Sequence, residues 1–498
     1  MNDIAKPQNH KFINGALWMI AMRWMMRMFG ILSTIILARL LTPTDFGIVA
    51  LALIVVGLLE VLSWTAIDLA LIQRQETSRE HYDTAWTIQI LQGLFIALLL
   101  VVISPHAASY FDEPALIDVV YILALKSFIV GFQNIGIVDF RKNLNFTREF
   151  NFHLYKKAFA FLCIVSLAFI HKSYWALVYG MLAAAVIDVI ISYRMHPFRP
   201  RISLARIRDI WSFSQWILLS RLGYFLNQKT DQFIIGGTSE TQAMGVYHMS
   251  TEIGTMPSNE VVMPLRRAFF PNFAKIAHIP EEYKKYILNT IGIMSSLILA
   301  SGIGLSSISY DFVLLVLGEK WIDAIPLIQL LAVFGVAAAL SSSMELLLLV
   351  SNRGDLSTIE SWIQLAVLIP VVWYTAHTYG VYEVALSRTI IAGIFVFLMI
   401  YLLTLATPVS YISIIGVIWR PILASIIMYF MVKFCHQDNL DYIILRLLMD
   451  ITVGAVSYLA SIYILWIMTG RAEGMEQNLI SKITLDRKST RLNSSHII

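Results

Sequence analysis

Apolar runs of about twenty residues recur from one end of this 498-residue chain to the other. Each is long enough to cross the ~30 Å hydrocarbon core of a bilayer as a helix. Backbone polar groups find no water in that core, so spanning segments are helices or closed barrels. The dyad alternation of barrel strands is absent, which leaves an all-α polytopic membrane protein. Composition agrees: 58% of residues are hydrophobic and only 14% charged, where a soluble chain carries nearer a quarter charged. About fourteen spans are expected, at roughly 14–40, 45–69, 84–104, 116–138, 152–171, 174–193, 211–236, 243–265, 288–309, 323–351, 357–376, 381–403, 412–434 and 443–469.

The segment from Trp18 to Gly47 recurs at an offset of 198: Trp18 matches Trp216, Arg23 matches Arg221, Ile36 matches Ile234 and Gly47 matches Gly245. Duplicated membrane helices that keep a costly cation are the pattern of a two-lobed transporter. The expected organisation is an N-lobe over 1–205 (six spans), a C-lobe over 206–405 (six spans), two further helices over 406–470 and a cytoplasmic tail over 471–498. The lobes form a pseudo-two-fold repeat. Residues 487–498 break abruptly with what precedes them and read as a non-native scar, which lowers the formal charge of +4 to about +1.

Loop charges give the orientation. Arg74 and Arg79, Arg141 and Arg148, Arg194 to Arg208, Arg266 to Lys285 and Arg353 all follow even-numbered spans. Cytoplasmic loops collect Lys and Arg, so both termini should be cytoplasmic. The linker near 194–210, with Pro197, Pro200 and five arginines, suits an anionic inner leaflet. Pro280–Tyr286 is expected to form a short interfacial helix. Cys163 and Cys435 lack metal-like spacing and read as small apolar residues. No nucleotide loop or catalytic elbow is present, and nothing in the charge distribution points to nucleic acid.

A cation at the bilayer centre costs about 2.5–3.5 kcal/mol on insertion scales, so each should face protein or water. Arg23 and Arg27 share one face of the first helix, Arg23 about nine residues in and therefore ~13 Å deep. The seventh span carries Arg221, Gln228, Lys229 and Asp231; the eighth carries Glu252, Thr255 and Asn259 on one stripe, with Pro257 and Pro264 expected to interrupt the helix. Glu60 lies in the second span, and Lys126, Asp188, Glu345, Glu383 with Arg388, and Arg446 with Asp450 are further polar positions. Arg446 and Asp450, at i and i+4, are expected to neutralise each other. Arg23, Arg27 and Arg221 outnumber the acids near them, and guanidinium groups match phosphate oxygens bidentately. The candidate binding residues are Arg23, Arg27, Arg221 and Lys229, with Glu60, Asp231 and Glu252 for charge balance or coupling.

The turn formed by Arg39, Leu41, Pro43, Asp45, Phe46 and Gly47 has the R-x-L-x-P-x-D-F-G pattern of the polysaccharide-transporter branch of the MOP flippase superfamily. Leu69–Arg74, Asp231–Gly237, Met244–Tyr247 and Met263–Pro271 resemble the same Wzx- and WzxC-like exporters, and the resemblance covers essentially 10–470. Ala243 stands where the first copy has Asp45. The resemblance implies a flippase of undecaprenyl-diphosphate-linked oligosaccharides in the bacterial inner membrane, working by alternating access for exopolysaccharide, O-antigen or colanic-acid-like synthesis. It implies no cofactor, a proton or cation gradient as driving force, and contact with membrane lipids, a polysaccharide polymerase and a chain-length regulator. The competing expectations are a drug or cation antiporter of the same superfamily, and a membrane polymerase or ligase. The latter would ordinarily present its chemistry on a large outward loop, and every outward loop here has about fifteen residues or fewer.

Overall fold

The computed structural model describes residues 5–63, 67–74, 77–207, 215–276, 279–437 and 442–470, and their regular structure is helical throughout. They divide into two compact units, Met1–His248 and Met249–Ile498. Among the described residues ten helices are long and apolar enough to cross a membrane, or eleven if one bent pair counts as a span. Large apolar side chains point outward along them, among them Leu98, Val102, Phe397 and Phe434. Contiguous apolar exposure of this kind is a liability in water and ordinary in lipid.

The first unit holds α1 (Ala5–Leu40), α2 (Pro43–Leu62), the short α3 (Ile67–Gln73), α4 (Arg79–Tyr110), α5 (Ala115–Val130), the one-turn α6 (Val138–Lys142), α7 (Phe146–His171), α8 (Tyr174–Met195) and α9 (Gln215–Thr238). It also holds the first turns of α10 (Thr241–Ile276). The span expected at 116–138 is broken: α5 and the segment Ile135–Lys142 meet at 66°. The span expected at 45–69 stops at Leu62. The prolines that were to interrupt the eighth span do not, and α10 runs helical through Pro257 and Pro264. A helical proline leaves the carbonyl four residues back without its usual donor, here those of Ile253 and Glu260.

The family-like turn between α1 and α2 has a direct physical basis. Thr42 caps α2: the Asp45 amide donates to Thr42 Oγ1 at 3.3 Å, and the Thr42 amide donates to Asp45 Oδ2 at 2.8 Å. This is a capping box, with Pro43 supplying the pre-set first residue. The remaining Asp45 oxygen accepts from the Tyr174 amide at 2.8 Å, tying α2 to the start of α8. At the other end of the unit, the linker expected to lie on lipid is strapped to α4. The amides of Arg201, Ser203 and Arg206 donate to Asp83 Oδ1 (2.8 Å), Thr87 Oγ1 (2.9 Å) and Thr84 Oγ1 (3.3 Å). An extended, proline-interrupted segment cannot satisfy its own backbone, and these buried side chains do it instead.

The second unit holds the rest of α10, α11 (Pro280–Phe312), α12 (Ala324–Val350), α13 (Gly354–Thr378), α14 (Val381–Ala406), α15 (Tyr411–Cys435) and α16 (Ile443–Met468). Residues 280–286 do not form a separate interfacial helix; they are the first turns of α11. Small residues bring α10, α11 and α12 together: a Cβ on Gly335 would lie 2.9 Å from Thr255 Cα, and one on Gly302 3.0 Å from Ser258 Oγ. Close approach at small residues is how apolar helices gain dispersion contact where lipid offers no hydrophobic drive. Phe273, Tyr283, Ile287, Met344, Leu347, Met399 and Ile414 build a core beside that crossing.

Candidate functional site

Within the first unit, α9 packs along α2. A Cβ on Gly57 would meet the Phe225 ring at 3.0 Å, and one on Gly236 would overlap Leu51. As the number falls along α2 it rises along α9, so the helices are antiparallel and Glu60 and Arg221 lie at about one level. Arg221 is exposed on α9. Glu60 pairs with Lys126 of α5 at 3.3 Å, and both side chains are partly exposed. Arg27 is half-buried on α1, two residues from Phe29, whose ring meets Phe161 of α7 at 5.5 Å. The Arg23 side chain lies outside the described residues.

The remaining candidates have distinct surroundings. Lys229 is half-buried and donates to Gln232 Oε1 at 3.1 Å, while Asp231 is fully buried and accepts from the Tyr247 hydroxyl. Glu252 is exposed on α10, in the second unit. Asp188 is held by Lys156 of α7 and, at 3.1 Å, by Gln133 Nε2. Asp188 is among the polar positions expected from the sequence; Lys156 is not, because a lysine near a span end looks like a snorkelling residue. The buried Arg420 and Glu360 are likewise unexpected.

One expected arrangement differs. Arg446 does not neutralise Asp450; it reaches across to α11, donating from Nε to Asp311 Oδ2 at 2.7 Å and from Nη2 to Asp311 Oδ1. Asp450 takes His436 instead, at 2.7 Å. Arg388 is buried at 2% exposure with its guanidinium 4.5 Å from the Phe334 ring centroid. An aromatic face and a fork of donors suit arginine inside a helical bundle. Outside the spans, burial pushes the His196 imidazole below its ordinary value, with the Asp139 carboxylate 3.5 Å away pulling it up.

The two copies of the repeat meet within the first unit. A Cβ on Gly47 would overlap the Thr241 carbonyl oxygen, and one on Gly245 would overlap that of Pro43 and stand 2.8 Å from the Gly47 amide nitrogen. Pro43 and Thr241 are related by the same offset of 198 as the glycines, so the contact is reciprocal. A pseudo-two-fold axis therefore passes between the starts of α2 and α10, as at an isologous interface. Around it Thr241 Oγ1 donates to Glu113 Oε2 at 2.8 Å, and Tyr110 stacks on Phe233 with ring centroids 4.9 Å apart.

Duplicated helical frames of this kind recur in secondary transporters. The family model for polysaccharide biosynthesis proteins matches residues 36–326, more than half the chain, and the chain belongs to that family. It is similar to the lipopolysaccharide biosynthesis protein WzxC of Escherichia coli, at 24% identity over 70% of this chain and 71% of that one. Among solved structures it resembles the lipid II flippase MurJ in an inward closed conformation (TM-score 0.74, 13% identity, 91% of this chain and 99% of that one). It also resembles an inward-facing multidrug MATE transporter of the MOP superfamily (TM-score 0.60, 15% identity, 76% and 94%). The chain is a multi-pass helical membrane protein of the polysaccharide biosynthesis family whose fold is like that of these two transporters.

Proposed function

We propose that this protein carries undecaprenyl-diphosphate-linked oligosaccharide repeat units across the inner membrane by alternating access. The observation that carries the reading is a chain of the polysaccharide family in a flippase fold that keeps Arg23 and Arg221 at matched positions in its repeat. Arg23, Arg27, Arg221 and Lys229 bind the diphosphate and any acidic sugars, since guanidinium groups meet phosphate oxygens with paired, geometrically matched hydrogen bonds. Glu60, Asp231 and Glu252 balance those charges, and a proton or cation gradient drives the cycle. The lobes divide as 1–205 and 206–405 with an added helix pair, and both termini are cytoplasmic. Fourteen spans are consistent with the ten apolar helices, the bent pair, and α1, α9 and α10, which have 36, 24 and 36 residues.

The test is complementation of a flippase-deficient strain by Arg23→Ala and Arg221→Ala variants, alongside translocation of a lipid-linked glycan in proteoliposomes. Loss of export at normal expression is expected, because each variant removes a charge-assisted contact. Full export by both would overturn the site. Drug efflux without glycan translocation would point to the antiporter, and chain growth without translocation to a polymerase.

A further inference from the structure

In the first unit the ion pairs Lys156–Asp188 and Lys126–Glu60 both join helices at span depth, and they differ in kind. The Asp188 side chain is 6% exposed and has both carboxylate oxygens occupied, one by Lys156 of α7 and the other by Gln133 Nε2 at 3.1 Å. Glu60 of α2 and Lys126 of α5 meet through one oxygen at 3.3 Å, with side chains 46% and 25% exposed. Among the described residues neither Glu60 nor Lys126 makes a further side-chain hydrogen bond or ion pair. The first pair is a fixed strut. The second is open, single and long, the kind of contact that holds weakly and exchanges.

Position makes that openness informative. Lys126 stands eleven residues after Ala115, ~17 Å along α5 and well inside a ~30 Å hydrocarbon core. Charged side chains at that depth face protein or water-filled space, because hydrocarbon is costly for them. A partly exposed pair there lines an aqueous path. Glu60 lies at about the level of Arg221, which is exposed on α9, and α5 and α9 both pack on α2. An anion that reaches this level is offered a lysine whose present partner is a single carboxylate oxygen. A diphosphate carries more than one negative charge, so it attracts an ammonium more strongly than one carboxylate does.

We propose that Lys126 is an anion-binding residue of the transport path, and that Glu60 is its resident stand-in, displaced when a diphosphate binds. The exchange starts readily because the pair is exposed and weakly held. It reverses readily because the freed carboxylate repels the bound anion and competes for the lysine again. Glu60 is thus a competitor that keeps the affinity moderate, so that the site lets go of its anion at the far face. The diphosphate comes from the flippase reading above, on which this assignment rests.

The test titrates inorganic pyrophosphate into the full chain in zwitterionic nanodiscs by calorimetry, with monodispersity and melting temperature checked for every variant. Lys126→Gln should weaken pyrophosphate binding about tenfold, and Lys126→Arg should largely restore it. Glu60→Gln should tighten binding severalfold, as removal of a competitor does. The Lys126→Gln/Glu60→Gln double variant keeps a neutral, hydrogen-bonding pair. It should bind like Lys126→Gln alone, because without the lysine Glu60 has nothing to compete for. Unchanged affinity in Lys126→Gln overturns the exchange, and so does a Glu60→Gln variant that binds no tighter than the wild type. A Glu60→Gln gain that persists in the double variant is bulk electrostatics and also overturns it. A chain that exports glycan while its pyrophosphate affinity ignores Lys126 loses the exchange alone. One that binds pyrophosphate through Lys126 yet translocates no lipid-linked glycan keeps the exchange and loses the flippase reading.

Discussion

The reciprocal crossing of Gly47 and Gly245 makes a quantitative prediction. Alanine at either position puts a methyl group onto a backbone carbonyl oxygen of the other helix, not onto the end of a movable side chain. Relief requires the helices to separate by about an ångström or more, and small-to-large changes in packed sites cost about 1–3 kcal/mol, here at the upper end because backbone must move. Helix propensity returns about 0.5–1 kcal/mol when glycine becomes alanine, so each variant should lose about 2 kcal/mol net. For a unit of this size that is a fall of about 4–8 °C in melting temperature. Gly393 of α14 and Gly416 of α15 are the controls, because nothing lies within 4 Å of an added Cβ. Their alanine variants should melt at or slightly above the wild type. Thermal denaturation of the purified chain, followed by size-exclusion fluorescence, measures all four. Because Gly47 and Gly245 share one crossing, the double variant should lose less than the sum of the singles. The reasoning is refuted if Gly47→Ala and Gly245→Ala melt like the controls, or if the two effects add fully.

Two other expectations rest on ion pairs and titration. Lys156→Met or Asp188→Asn should each cost about 1–3 kcal/mol, discounted from a fully buried pair because the lysine is 40% exposed, and the double variant should recover part of that loss; a double-mutant cycle by thermal melting decides it. Because burial lowers the His196 imidazole, the fold holds that ring neutral. Its contribution is complete above the ordinary histidine value of about 6.5 and is lost as pH falls through the lowered folded value. The melting-temperature difference between wild type and His196→Asn should therefore shrink on acidification; a difference that grows would reverse the sign.

The helical membrane class, the repeat and the turn were legible because each rests on local pattern: hydrophobic length, an offset of 198, and the Thr42–Asp45 capping box. Partner choice was not. At i and i+4 Arg446 and Asp450 suggest a local pair, yet Asp311, distant by 135 positions, offers both oxygens in a buried setting and wins the guanidinium. The same holds for Lys156 with Asp188 and for Glu60 with Lys126, each joined across helices. Pro257 misled for a different reason: proline removes a hydrogen bond wherever it sits, but a helix packed closely through Gly335 and Gly302 can absorb that loss without breaking.

The repeat keeps its symmetry where backbones touch and at Arg23 and Arg221, and departs from it at Asp45 and Arg27. Gly47 and Gly245 are both retained, since a side chain at either would force the helices apart. Asp45 has Ala243 as its counterpart, so the capping box and the tie to Tyr174 exist in one copy alone. Arg27 corresponds to Phe225, and that ring is what packs on Gly57 of α2. An arginine there would bury a cation against a glycine face with no acid supplied by that contact, whereas the aromatic fills it with dispersion contact. The geometric demand of the α2–α9 contact thus accounts for the lost second cation without reference to any substrate. It follows that returning the symmetric residue by Phe225→Arg should weaken the α2–α9 contact before it adds any binding energy. A variant as stable as the wild type would show that the contact, and with it this account of the asymmetry, is wrong.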